Sequence, residues 1–145
     1  MLSLHCHMKN ILYKNLLLII FISGLLVGCT GVANMGKTSA ELLQERVELR
    51  WQALIKKDWN AAYQFELPAY RQTHAVSQYQ AKFGSTLQWK SIHIDAVAVN
   101  AETDTADVRL TLVYSFSMPG FGLTEGNSQI NERWMRQDNE WWMVD

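Results

Sequence analysis

The sequence predicts an α+β domain whose helices come before an antiparallel sheet, and three observations carry that expectation. Apolar residues recur at helical spacing between Thr38 and Phe83, they alternate in and out from Leu87 onward, and the turn pair Asp138-Asn139 separates two tryptophan-bearing runs at the end. Helices grouped ahead of strands suit an α+β layer arrangement rather than alternating βαβ units. At 145 residues, 48% of them hydrophobic, the chain is long enough for one core and short for two.

The helical part divides into three. Thr38 followed three residues later by Glu41 fits a capping box. Behind it Leu43, Val47, Trp51, Leu54 and Ile55 form an apolar stripe, with Glu45, Glu48, Arg50 and Gln52 between them. This first helix should end near Lys56-Lys57, where cations suit the carboxyl-terminal dipole. Asp58 is placed to cap a short second helix carrying Trp59, Ala62 and Tyr63, closed by Leu67-Pro68. A third, from about Ser77, sets Val76, Tyr79 and Phe83 on one side and stops at Gly84.

The sheet follows. Ile92 and Ile94 are in one phase and Val97 and Val99 in the other, so a bulge or sharp bend near Asp95-Ala96 is expected. After "NAETDT", the residues Val108, Leu110, Leu112, Tyr114 and Phe116 alternate with Asp107, Arg109, Thr111 and Ser115 as a half-buried strand. "MPGFGLTEGNS" reads as a Pro/Gly loop in which Phe121 and Leu123 either tuck back over the end of the sheet, the favoured reading, or form a lid or contact patch. Residues Ile130 to Gln137 and Trp141 to Val144 then make a hairpin around Asp138-Asn139. Adjacent Trp141 and Trp142 must face opposite sides, so one of them lies outside the core.

The start of the chain has the layout of a targeting segment. Lys9 and Lys14 precede an apolar run that, counted from Leu16 to Gly28, is 13 residues long. That is short of the roughly 20 needed to cross a bilayer core as a helix. Met8-Lys9-Asn10 is a more usual beginning than "MLSLHCH", which makes Met8 an alternative start. The run ends in Leu26-Val27-Gly28-Cys29, which resembles the bacterial lipobox at all four positions. The resemblance implies signal cleavage between Gly28 and Cys29 and lipidation of the Cys29 sulfur, several acyl chains holding better than one. Thr30, where an aspartate favours inner-membrane retention in enterobacteria, leans the expectation toward an outer membrane facing the periplasm. The implied division is 1–28 signal peptide, 29–39 lipidated cysteine and small polar tether, and 40–145 folded domain.

Two stretches carry a second resemblance. "RWQALIKKDWNAAYQFELPAYR" is similar to the opening helices, and "ERWMRQDNEWWMVD" to the terminal hairpin, of the nuclear transport factor 2-like (SnoaL-like) superfamily. The resemblance implies a strongly bent antiparallel sheet curled as a cone around the helices, commonly with an apolar pocket, and a homodimer through the sheet face. It also implies that any chemistry would use a carboxylate or histidine base with a tyrosine, as in isomerase and dehydratase relatives. By residue type the catalytic candidates are Asp95, His93 and Tyr114, with Tyr63 and Glu132 behind them, and the binding candidates are Trp51, Tyr63, Tyr114 and Trp134. His93 and Asp95 share a strand face only if no bulge intervenes.

Composition narrows the function classes. From Cys29 onward there are 11 basic and 14 acidic residues, a net of −3 with no basic tract, which disfavours nucleic acid. Cys6 and Cys29 are the only cysteines, and His74 and His93 have no partner at ligand spacing. No disulfide, thiolate nucleophile, metal or cofactor is expected. The function expected is therefore non-enzymatic: an envelope lipoprotein, anchored to the membrane at Cys29, whose domain binds a partner protein or a small apolar ligand. The alternative is a small-molecule isomerase, cyclase or dehydratase in the same pocket.

Overall fold

The computed structural model describes residues 36–84, 87–120 and 122–144. The signal segment, Gly28, Cys29, Phe121 and Asp145 lie outside the described residues. The chain divides into two units at Gly36/Lys37, and the second is the α+β domain.

Among the described residues four helices come first: α1 (Ser39–Ile55), α2 (Trp59–Tyr63), α3 (Pro68–Thr73) and α4 (Val76–Ala81). The capping box forms as the sequence requires: Glu41 N donates to Thr38 Oγ1 at 3.2 Å and Thr38 N to Glu41 Oε2 at 2.6 Å. The short bonds from Thr38, first the backbone and then the hydroxyl, hold the Glu41 carboxyl below its usual value. Asp58 caps α2 through Ala61 N at 3.0 Å. α3 corrects the sequence reading, because Pro68 opens a helix instead of closing one. Proline suits the first helical position, where its missing N–H has no intrahelical partner to lose.

The sheet is an antiparallel meander ordered β1-β2-β3-β4, with strands Gln88–Asn100, Thr105–Met118, Gly122–Gln137 and Glu140–Val144. The expected bulge is present: the β1–β2 register shifts between Ile94 and Ala96, putting Ile92 and Ile94 opposite Leu112 and Leu110, and Val97 and Val99 opposite Val108 and Ala106. A second shift, between Trp89 and Ser91, lies at Lys90. The Pro/Gly loop is corrected to a tight turn. β3 already begins at Gly122, and Leu123 to Ser128 pair in unbroken register with Ser117 to Leu112. Gly120 (φ 84°) and Gly122 (φ 76°) take the left-handed backbone that lets so short a connection close. At the last hairpin Asp138 and Asn139 both have positive φ, 54° and 64°, as a two-residue primed turn demands.

The core lies between α1 and the sheet. Leu43, Val47, Trp51 and Leu54 meet Ala106, Val108, Leu110 and Leu112 of β2, with Trp134 and Trp141 closing it. The edge of β4 is covered by the segment after α2: Met143 N donates to Phe65 O at 2.8 Å and Leu67 N to Met143 O at 3.3 Å. The two adjacent tryptophans do part company. Trp141 is buried, whereas Trp142 is half-buried, with the guanidinium groups of Arg46 and Arg71 4.7 and 5.3 Å from its ring centre.

Candidate functional site

The core holds a charged cluster that its hydrophobic stripe conceals. Arg50 lies on α1 one turn from Val47 and from Leu54, so it points inward with them and is 5% exposed. Glu132 lies on β3 between Ile130 and Trp134 and shares their inward phase at 3% exposure. Glu66 is brought in by the segment pinned to β4, also at 3%.

These groups satisfy one another closely. Glu132 Oε1 accepts from Arg50 Nη1 at 2.7 Å and Trp51 Nε1 at 2.8 Å, and its Oε2 from Trp134 Nε1 at 3.0 Å. Arg50 Nη2 donates to Glu66 Oε1 at 3.4 Å. Burial works against the Arg50 charge, yet Glu132, Tyr79 and Glu66 more than offset it and hold the guanidinium above its ordinary value. Beside it, burial pushes the Tyr79 phenol up to about 12, with the Arg50 charge partly opposing. Tyr79 Oη and Arg50 Nε are both buried, and among the described residues neither has a hydrogen-bond partner of good geometry.

A cavity of about 260 Å³ opens beside this cluster. Its apolar lining comes from Trp51, Leu54, Phe83, Trp89, Ile130 and Met143, and its polar lining from Arg50, Glu66, Tyr79, Lys82, Asn131 and Glu132. The aromatic side is built from edge-on contacts: Trp51 to Trp89 at 5.6 Å, Trp89 to Phe83 at 5.5 Å and Phe83 to Tyr79 at 5.0 Å between ring centres. A few convergent polar groups in a mainly apolar recess is the usual make-up of a small-molecule site.

The catalytic candidates read from sequence are not gathered there. Asp95 stands at the β1 bulge, exposed, accepting a hydrogen bond from Thr111 Oγ1 at 2.9 Å. His93 is exposed and lines a separate, more open groove of about 470 Å³ between α1 and β1, together with Glu48, Gln52 and Lys90. Tyr114 is half-buried toward the far end of the sheet, opposite Gly126, where its ring fills the space a Cβ would take. Tyr63 is a structural clamp, its hydroxyl bonded to Arg71 O at 3.0 Å and to His74 O. Of the binding candidates Trp51 lines the cavity, while Trp134 is fully buried behind it and acts through Glu132.

Arg50, Glu66 and Tyr79 are the residues that residue-type reasoning passed over. Two had a signal: Arg50 occupies an inward position of a stripe running Leu43, Val47, Arg50, Leu54, and Tyr79 shares a face with Phe83. Glu66 had none, since its burial depends on a pairing with a strand far along the chain. Among the described residues no group of three or more His, Cys, Asp or Glu is arranged to hold a metal ion.

No family model and no curated protein matches the chain. A solved structure shares its fold. A SEC-C motif containing protein from Psychrobacter arcticus is 15% identical, with a TM-score of 0.50 over 73% of this chain and 60% of that one. A SEC-C motif containing protein from Rhodopseudomonas palustris is 11% identical, with a TM-score of 0.49 over 66% of this chain and 70% of that one. The intermembrane space region of the chloroplast protein ARC6 is 13% identical, with a TM-score of 0.49 over 75% of this chain and 95% of that region. The chain thus spans 60% of the length of the Psychrobacter protein, and at such identities the likeness concerns fold alone. The Psychrobacter neighbour corrects the resemblance to a lipoprotein with a nuclear transport factor 2-like domain: it is a SEC-C motif containing protein, and no comparison supports that superfamily or a lipoprotein signal. The quoted patterns misled for a physical reason. An aromatic helix ending in an aspartate cap and a tryptophan-rich hairpin are what many helix-on-sheet cores require.

Proposed function

We propose that this protein is a non-catalytic binding protein of the cell envelope, held at the membrane through Cys29, whose domain takes a small, largely apolar ligand into the cavity beside Arg50. The observation that carries the reading is the cavity itself: six apolar side chains, two of them tryptophans, surround about 260 Å³ next to buried polar groups. Asp95, His93, Tyr63 and Tyr114 are all absent from the lining of this cavity, which argues against the acid-base alternative there, because a general base must reach the proton it removes. The position of Cys29, after an apolar run too short to span, supports the membrane attachment.

The test is native mass spectrometry on the full chain purified from bacterial membranes, with Asp95→Asn and Met143→Trp beside it. A bound small molecule that survives Asp95→Asn and disappears in Met143→Trp, where the indole fills the cavity, supports the reading. Loss of the molecule in Asp95→Asn with an unchanged fold, or preparations that never carry one, counts against it. Palmitate labelling that is abolished by Cys29→Ser tests the attachment separately.

A further inference from the structure

We infer that the outer edge of β1 is an interface for a second copy of this chain: two β1 strands pair antiparallel about a two-fold axis at His93 and join the two sheets into one. This is independent of the cavity and of any ligand in it.

The two edges of the sheet differ. β4 is covered by the segment from Phe65 to Leu67, whereas among the described residues no strand or bridge lies outside β1. An uncovered edge strand holds out a row of backbone donors and acceptors that another strand can take up. Beside that edge runs the groove of about 470 Å³, and Lys90 to Ile94 line it across from Gln44, Glu48, Ile55 and Lys56 of α1. Ile92 and Ile94 turn toward the core yet stay half-buried, because the groove separates them from the helix. A strand added to β1 sets its own core-side residues into that groove.

A second copy has the right residues to do so. Residues directly opposite in antiparallel strands point to the same face, so a two-fold axis normal to the sheet must relate a residue to its own counterpart. Centred on His93, the axis puts Ile92 of each copy opposite Ile94 of the other and brings Lys90 of each beside Asp95 of the other. Centred on Ile92, it would set Ile94 against Lys90. The first register thus gives two isoleucine pairs on the floor of the joined grooves and an opposite-charge contact at each end. Lys90 and Asp95 are both exposed, and Asp95 holds Thr111 through Oδ2, which leaves Oδ1 for the lysine. The outer sheet face, by contrast, carries the exposed charges of Asp107, Arg109 and Arg133 across its middle, a poor surface for a dry contact. Because β4 is covered, the pairing closes at two copies.

The experiment is disulfide cross-linking of the full chain in the bacterial cells that make it, with Cys6→Ser throughout, oxidation by copper-phenanthroline, and each link assigned by mass spectrometry of its peptides. His93→Cys lies on the axis, where opposite Cα atoms are about 4.5–5.5 Å apart, within reach of a disulfide. Gln129→Cys, exposed on the outer sheet face, is the comparison. The expected result is a 93–93 link without a 129–129 link. Lys90→Asp should lower the yield of the 93–93 link several-fold, and Lys90→Asp combined with Asp95→Lys should restore it, since the contact is rebuilt with its signs exchanged. No 93–93 link, a 129–129 link of equal or higher yield, a yield that Lys90→Asp leaves unchanged, or a folded double variant without restoration overturns the proposal. Should the double variant fail to fold, the comparison of His93→Cys with Gln129→Cys decides by itself.

Discussion

Glu132 collects three donors from two elements, the guanidinium of Arg50 and the indoles of Trp51 and Trp134. A buried carboxylate held this way does little for stability compared with a well-packed apolar side chain, but removing one partner strands the others. Glu132→Ala is therefore expected to lose about 3–5 kcal/mol of unfolding free energy in urea. Arg50→Met combined with Glu66→Gln and Glu132→Gln should lose less than that single change, because no unpaired charge remains. If the triple variant proves the less stable, the cluster contributes attraction beyond mutual compensation. Tyr79 gives a pH signature. Its folded pKa is raised from 10.0 to about 12, so between those values the unfolded chain releases a proton that the folded one keeps. The stabilisation is whole below pH 10 and is lost as pH rises toward about 12, with a slope of up to about 1.4 kcal/mol per pH unit. Tyr79→Phe should remove this part of the alkaline slope, measured by denaturation at stepped pH against the unaltered chain.

At the scale of elements, what was legible is what depends on neighbours in sequence. Thr38 and Glu41, Asp58, and Asp138-Asn139 each carry their own turn or cap chemistry, and each performs it. Thr38→Ala should accordingly lower stability by about 1 kcal/mol in urea without changing the slope of the transition. The reversal of phase in β1 was legible too, because Ile94 and Val97 can face one core only across an extra residue. The elements misread are those fixed from a distance. Pro68 was equally compatible with ending a helix or starting one, and the pinning of Phe65 to Leu67 against Met143 decides it. Gly122 to Gly126 looked like a loop because glycine is poor in strands, yet the facing run of β2 supplies a complete ladder and the Tyr114 ring covers Gly126.

For the whole molecule, the α+β class followed from the order of periodicities, whereas the family resemblance built upon it did not survive comparison with the Psychrobacter structure. The site was half legible. Glu132 and Trp51 were named by type, but the cavity arises where α1, α4, β1, β3 and β4 converge, and no local pattern encodes such a meeting. Distribution of the functional groups over so many elements also means that occupancy and folding are linked, since a ligand there draws on the packing of helices against sheet. The two register shifts in β1 have a separate bearing on how the molecule behaves among its own copies. β1 is a sheet edge of 13 residues, long enough in principle to recruit strand after strand. The shifts at Lys90 and Asp95 divide it, leaving Ser91 to Ile94 and Ala96 to Asn100 as its regular stretches, four and five residues long. Fibril-forming segments need about six in line. The irregularity that lets two pairs of aliphatic side chains reach one core thus also spoils the longest template the fold would otherwise offer for amyloid-like growth.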